Sequence, residues 1–213
     1  MRRTAALATL VALVFTAVAV AGPPRLEQKR LRAADVALAK RVTLKGSDFA
    51  PGWTRRAATG QTEQLPQCPG ADLDFSAFTI TGQARSAFGK GQASVQSLVE
   101  VFKSRRDAAG DFRKATAPKV VACLGPELER QGRQQGLDLR VLSARTAGRP
   151  PVGERAFAVR FVMSVAAAAQ SVRLHMDVLG VQRGRSAVTL FFAGTSPVGG
   201  QLVVARSVAA RMR

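Results

Sequence analysis

The feature that most constrains this chain is a series of four runs in its C-terminal half in which apolar and polar residues alternate. In the third run, apolar side chains alternate with Arg173, His175 and Asp177. A period of two is typical of a β-strand that buries one face. Short polar or Gly/Pro segments separate the last three runs, which predicts an antiparallel meander. The four runs are 137–145, 154–165, 170–182 and 185–194.

Two further runs in the N-terminal half predict a β-hairpin. They are 78–88 and 92–103, and they flank the short glycine segment Gly89-Lys90-Gly91. Upstream of them, residues 34–42 carry apolar side chains at every fourth position, which predicts a helix with Asp35 at its start.

Between the hairpin and the meander lies a block with helical periodicity. Ser104 and Asp107 form an S-x-x-D capping signal, which predicts that a helix begins there. A second helical stretch follows and is interrupted at Gly125-Pro126, where Pro126 suits the first position of a new helical segment.

A terminal helix is predicted from about Val198, with Leu202 turned inward and Arg211 towards solvent. Strand runs broken by one helical block, with helices at both ends, favour the α+β class. The fold that we expect is an antiparallel β-sheet packed with helices.

The first 21 residues have the three parts of a secretory signal. Arg2 and Arg3 supply the positive end, an apolar run follows, and Ala19-Val20-Ala21 is a small-x-small terminus. Cleavage is expected after Ala21, which makes the mature protein secreted or extracytoplasmic. The alternative is an uncleaved membrane anchor, because the apolar run approaches the roughly 20 residues that span a bilayer.

The domain organisation expected from this reading has three parts. Residues 1–21 are the signal peptide, 22–32 a proline-containing basic linker, and 33–213 one extracytoplasmic α+β domain. The last of these is long enough for one domain with a proper core and short for two.

The net charge of the chain is +18, from 32 basic and 14 acidic residues. A field of this sign attracts anionic surfaces such as lipid head groups, acidic wall polymers or nucleic acid. Of the basic residues 25 are arginine, and their scatter along the chain also agrees with a compositional bias. The chain has no Tyr and one Trp, and most of its 11 Phe lie in core-like runs, which argues against nucleic acid.

The cysteines of the chain are Cys68 and Cys123. An even number in an exported protein predicts one structural disulfide. The alternatives are a redox pair or a metal site. A redox pair is more often C-x-x-C, and two thiols without a nearby histidine make a poor zinc site.

Several short motifs of this chain stand in the order found in a known family. Asp48-Phe49-Ala50-Pro51-Gly52-Trp53 follows the first predicted helix, and Cys68 is followed by a proline. The second hairpin strand reads S-V-x-S-x-V-x-V-F from Ser94 to Phe102, and Cys123-Leu124 precedes the meander. In these features the chain resembles actinobacterial exported proteins related to the extracellular sensor domain of PknH-type serine/threonine kinases.

The resemblance covers roughly residues 33–213. It implies a PsbP-like sandwich of sheet and helices, a disulfide between Cys68 and Cys123, and a non-catalytic role as a sensor or ligand-binding module. The chain departs from the kinase sensor domains in having one cysteine pair where two are expected.

One strand face carries the candidate ligand-binding residues. His175 is the only histidine, alternation places it beside Arg173 and Asp177, and Arg160 of the neighbouring strand can join them. The alternative is a solvated or helix-covered polar face. No catalytic, metal or cofactor site is predicted, since the sequence has no G-x-S-x-G elbow, metal-ligand cluster or nucleotide fingerprint.

The sequence therefore predicts an exported, non-enzymatic binding or sensor-like module of the cell envelope. Its partner would be an unidentified small or amphipathic ligand, or an envelope protein. The alternative is a basic adhesion protein that its charge holds on anionic envelope polymers or lipid.

Overall fold

The computed structural model describes residues 25–58, 66–167 and 170–212, so the predicted signal peptide lies outside the described residues. The described residues form eight strands and four helices. The strands are β1 (Gln28–Lys29), β2 (Thr54–Arg56), β3 (Thr79–Lys90), β4 (Ala93–Phe102), β5 (Asp138–Thr146), β6 (Arg155–Ala167), β7 (Gln170–Arg183) and β8 (Ser186–Gly194). The helices are α1 (Ala33–Val42), α2 (Arg105–Ala115), α3 (Pro118–Gln134) and α4 (Gln201–Ala210), and a single 3₁₀ turn, Gly46–Asp48, follows α1.

All eight strands belong to one mixed sheet in the order β1-β3-β4-β8-β7-β6-β5, with β2 also paired to β3. The pair β1–β3 is parallel and the other pairs are antiparallel. The predicted hairpin is β3–β4, and the predicted meander is β6 to β8, to which β5 adds on the β6 side. The pairing of β4 with β8 joins these two units into one surface. The α+β class predicted from the sequence is confirmed.

One face of the sheet is covered by α1 and α4. Val95, Val99, Leu190 and Phe192 project from β4 and β8 into a core that both helices complete. Helix α1 approaches the sheet closely at Gly82 of β3. A Cβ atom there would lie 2.3 Å from the backbone carbonyl oxygen of Asp35 in α1. A glycine is therefore required there by packing rather than by a turn.

The D-F-A-P-G-W motif lies at the edge of this core. Phe49 and Trp53 stack with ring centroids 4.9 Å apart, and Phe49 also contacts Phe88 of β3 at 5.0 Å. The motif thus ends the α1 region by anchoring two aromatic rings against the sheet.

The opposite face of the sheet is covered by α2 and α3. Ser104 caps α2 by accepting the Asp107 N–H at 3.0 Å, as the capping signal predicts. Side chains of α3 pack on apolar residues of β5, β6 and β7. The disulfide between Cys68 and Cys123 joins the segment after residue 66 to α3, which confirms the predicted pair.

Helix α3 differs from the prediction at its proline. The helix begins at Pro118 and continues through Pro126, which was expected to start a new helical segment. An interior proline removes one helical hydrogen bond. The apolar stripe that packs on the sheet, containing Val121, Leu124 and Leu128, extends on both sides of that position and keeps the helix in one piece.

Two expectations for the terminal helix are wrong. Leu202 is 42% exposed, and Arg211 is not directed into solvent. The Arg211 guanidinium donates to both carboxylate oxygens of Asp48, at 2.8 and 2.7 Å, and Asp48 is 8% exposed. The helix begins at Gln201, a few residues later than predicted, and its buried residues are Val204, Ala205, Val208 and Ala209.

The segment predicted as a linker also contains structure. Within its described part, Gln28–Lys29 form β1 beside β3. Two residues are too short to show a period, so the sequence offers no strand signal there. Within the described part of the chain, no helix combines the length and apolar character that crossing a bilayer requires.

Candidate functional site

The main cleft of the described structure lies between α2, α3, the β5–β6 edge of the sheet and the segment 147–155. Its volume is about 980 Å³. Clefts of roughly 300–1,000 Å³ are the usual size for small-molecule sites. The sequence carries no signal for this cleft, because its walls come from elements far apart along the chain.

The floor of the cleft is apolar. Phe112 of α2, Val121 of α3, and Phe157 and Val159 of β6 line it. The rings of Phe112 and Phe157 meet edge to face with centroids 5.6 Å apart. Phe157 lies directly over Gly180 of β7, where a Cβ atom would come within 2.0 Å of the ring.

The rim of the cleft is basic. Arg113, Arg145, Arg149 and Arg155 line it, and all four are exposed. Arg155 donates to the Gln182 side chain at 3.0 Å. Within the described residues, no side-chain hydrogen bond or ion pair engages Arg113 or Arg149, so their guanidinium groups can reach an anion. Arg145 is paired opposite Arg160, on the face of the sheet away from the cleft floor.

The acidic group at the rim is already paired. Glu154 accepts from Arg105 at 2.7 Å, and this hydrogen bond holds the pKa of Glu154 below its usual value. The carboxylate therefore stays charged and bound to Arg105, and it neutralises little of the charge of the other arginines.

The outer wall of the cleft, residues 147–155, is held in place by backbone hydrogen bonds. Ala147 donates to the Ala158 carbonyl at 2.7 Å, and Glu154 donates to the Gln182 carbonyl at 2.8 Å. Val152 is buried against the sheet core. The sequence of this segment, with Pro150-Pro151 between glycines and arginines, predicts only a turn between strands.

The predicted site residues lie on the other face of the sheet from the cleft floor. Asp177 of β7 is opposite Arg160 of β6, and the Arg160 Nε donates to Asp177 Oδ1 at 2.6 Å. Gln201 of α4 donates to the second oxygen of the same carboxylate. Asp177 is therefore a buried acceptor between the sheet and α4.

His175 and Arg173 precede Asp177 on the same strand face but do not contact it. His175 is half-buried opposite Val162, and Arg173 is exposed opposite Ser164. Of the four predicted residues, the structure thus brings Arg160 and Asp177 into contact and places the other two beside them. None of the four lines the cleft.

A cluster of carboxyl groups lies near the start of the sheet. Asp111 of α2 is 9% exposed, and burial raises its pKa to about 9, with further contributions from Glu100 of β4 and Glu27. Asp111 is therefore protonated at neutral pH. Among the described residues, no group of three His, Cys, Asp or Glu side chains is arranged to hold a metal ion.

Comparison with known proteins identifies no family for this chain. No family model matches it, and no curated protein sequence matches it. Among solved structures, it is similar to the extracellular domain of PknH from Mycobacterium tuberculosis, with 11% identity and a TM-score of 0.38. The match covers 62% of this chain and 65% of that domain, which is less than two thirds of its length. The family resemblance inferred from the motifs stays a prediction.

Proposed function

We propose that this protein is an exported, non-catalytic binding module, sensor-like in kind, that holds an amphipathic ligand with an anionic group in the main cleft. The observation that carries the proposal is the pairing of an apolar floor with a rim of arginines. Sites for small molecules commonly combine an apolar lining with a few polar groups that fix orientation. Here the floor takes an acyl or similar apolar chain, and the rim takes a carboxylate or phosphate.

The charge at the rim favours an anion over a neutral ligand. Arg113 of α2 and Arg149 of the outer wall both line the cleft. Arginine binds carboxylate and phosphate groups through two parallel N–H donors. A neutral ligand would leave these donors without a charged acceptor.

The absence of catalytic groups from the cleft supports a binding role. Its lining contains no histidine, cysteine or lysine, and its one carboxylate, Glu154, is paired with Arg105. His175 lies on the opposite face of the sheet. A general base near a nucleophile, which hydrolytic catalysis needs, is not formed by the residues that line this cleft.

The test uses a matched pair of fluorescent probes, dansylaminoundecanoic acid and its methyl ester. The acid should bind the protein at least tenfold more tightly than the ester, because a charged hydrogen bond to arginine contributes about 1.5–3 kcal/mol. Replacing Arg113 and Arg149 by Gln should reduce the affinity for the acid to that for the ester.

The control variant is Arg41→Gln with Arg55→Gln, which removes the same charge from exposed sites outside the cleft. It should leave the preference for the acid intact. Equal affinity for acid and ester in the wild-type protein would overturn the anionic part of the proposal. Failure of both probes to bind would overturn the cleft as an apolar site. If the acid binds as expected, native mass spectrometry of protein purified from its own host's envelope would identify the natural ligand by its mass.

A further inference from the structure

The sheet face opposite the cleft floor has an uncovered part. The first residue of helix α4, Gln201, lies over Asp177 of β7 and donates to its carboxylate. From there the helix runs along β7 to Arg183, whose side chain donates to the Ala209 carbonyl. The earlier half of β7 therefore extends beyond the helix. Arg173 is exposed there and His175 is half-buried, whereas the side chains between them, on the other face, are in the core.

The uncovered part carries arginines on three adjacent strands. Arg140 of β5 and Arg173 of β7 both lie opposite Ser164 of β6, so the three residues form one row across the sheet. Arg160 of β6 lies two rows further along, opposite Asp177. We define the arginine face as Arg140, Arg160 and Arg173 with the residues between them.

Acidic groups pair with two of the three arginines of the face, and the pair with Arg160 is the stronger. Asp177 is buried and already accepts from Arg160 and Gln201. Asp138 contacts Arg140 at 3.4 Å, but both side chains are largely exposed, and exposed pairs of this kind are weak. Within the described residues, no side chain forms a hydrogen bond or ion pair with Arg173.

The arginine face also presents exposed aliphatic side chains. A bulge in β5 places Leu142 and Ser143 together opposite Val162 of β6, and Leu142 is 54% exposed. Leu202, in the first turn of α4 next to Gln201, is 42% exposed. Leucines beside arginines on one surface are typical of proteins that bind a lipid interface.

We propose that the arginine face docks the protein on an anionic lipid surface. Arg140 and Arg173 bind lipid phosphates, and Leu142 and Leu202 enter the head-group region. This surface is distinct from the ligand cleft and goes beyond the proposed binding function. Its charge favours an anionic partner, and its leucines favour a lipid over a soluble polyanion, which offers no apolar region.

The size of the face also favours lipid over a protein partner. Two strand spacings separate β5 from β7, roughly 10 Å, and four residues of β7 span roughly 13 Å. With its side chains the face covers on the order of 400 Å², about half of what each partner buries in a stable protein–protein interface. Lipid head groups bind singly and need no larger matched surface.

The experiment is sedimentation of the protein with vesicles of phosphatidylglycerol and phosphatidylcholine, and with vesicles of phosphatidylcholine alone. The wild-type protein should bind the anionic vesicles, and binding should fall as salt rises. Replacing Arg140 and Arg173 by Gln should weaken binding at least tenfold, since each arginine near an anionic membrane contributes about fivefold. The control, Arg41→Gln with Arg133→Gln, removes two other exposed charges and should change binding less than threefold.

The leucines separate a lipid partner from a polymer. Replacing Leu142 and Leu202 by Ser should remove the vesicle binding that persists at high salt. The fraction of protein bound to vesicles at high salt could instead stay unchanged in this variant, while soluble polyphosphate competes with the vesicles for the protein. That result would assign the face to an anionic polymer and overturn the proposal. Equal losses in the arginine-face variant and the control would show that overall charge acts rather than this surface, and would also overturn it.

The cleft variant distinguishes the two proposals. Replacing Arg113 and Arg149 by Gln should abolish the preference for the anionic probe and leave vesicle binding within threefold of the wild-type value. Unfolding temperatures of all variants should agree with that of the wild-type protein, because every substituted residue is exposed. A loss of vesicle binding in the cleft variant equal to that of the arginine-face variant would overturn the assignment of docking to the arginine face.

Discussion

Asp111 offers the sharpest test of the electrostatics in this fold. Its carboxyl group is 9% exposed beneath α2 and has Glu27 and Glu100 as neighbours. Burial first, and then the negative charges of the two glutamates, raise its pKa to about 9. An aspartate in the unfolded chain titrates near pH 3.9. The folded protein therefore holds a proton that the unfolded chain releases over most of the intervening range.

The sign of the effect on stability follows from this difference. A group whose folded pKa is raised contributes stability that is fully present below about pH 4 and is lost as pH rises to about 9. The slope is about −1.4 kcal/mol per pH unit within that window. Between about pH 5 and about pH 7 the free energy of unfolding should fall by about 3 kcal/mol from this group alone.

Replacing Asp111 by Asn should remove that slope. The amide is neutral at every pH, has nearly the same shape, and can donate to Glu27 as the protonated acid does. The variant should equal the wild-type protein near pH 4 and exceed it by up to about 4 kcal/mol near pH 7.

The assay is urea unfolding of both proteins at several pH values from about 5 to about 8, with the disulfide intact. Asp138→Asn, at an exposed site on β5, is the matched control and should run parallel to the wild-type protein. Parallel curves for Asp111→Asn and the wild-type protein would refute the reasoning, because they would show that Asp111 is ionised in both states.

Three other perturbations test the packing. Replacing Cys68 and Cys123 by Ser should destabilise the protein by roughly 4 kcal/mol in urea unfolding, because the bond closes a loop with a sequence separation of 55; a loss below 1 kcal/mol would contradict this. Arg211→Met should cost about 3–5 kcal/mol, since it leaves the Asp48 carboxylate buried without its charged partner, and a neutral result would mean that Asp48 takes up a proton instead. Gly180→Ala should cost about 1–3 kcal/mol and weaken binding of the dansyl acid by displacing an aromatic ring of the cleft floor; unchanged probe affinity would exclude that ring from the site.

The sequence predicts best those elements whose signals are local. Alternation over nine or more residues marks the four strands of the C-terminal half, and the structure places each of them within two residues of the predicted bounds. The S-x-x-D signal marks the start of α2 because the cap uses only Ser104 and Asp107. The disulfide is predictable because the chain has two cysteines and a predicted export signal.

Features that depend on distant partners escape the sequence. β1 becomes a strand because β3 offers it a free edge, and α3 passes through Pro126 because the sheet holds the helix on both sides. Arg211 has the pattern of a solvent-facing residue, yet Asp48, 163 residues away, draws it into a buried ion pair. Helical periodicity reports on one element at a time and carries no information about such partners.

The sequence by itself determined the α+β class, the order of the six long strands β3 to β8, the disulfide and the polar strand face that contains Arg173, His175 and Asp177. Only the tertiary structure decided that β4 pairs with β8, that α4 begins over the middle of β7, and that the segment 147–155 closes a cleft against α2 and α3. The reason is physical: strand and helix periodicities arise from contacts between near neighbours. Sheet order and clefts arise from long-range packing, in which many apolar surfaces compete for the same partners.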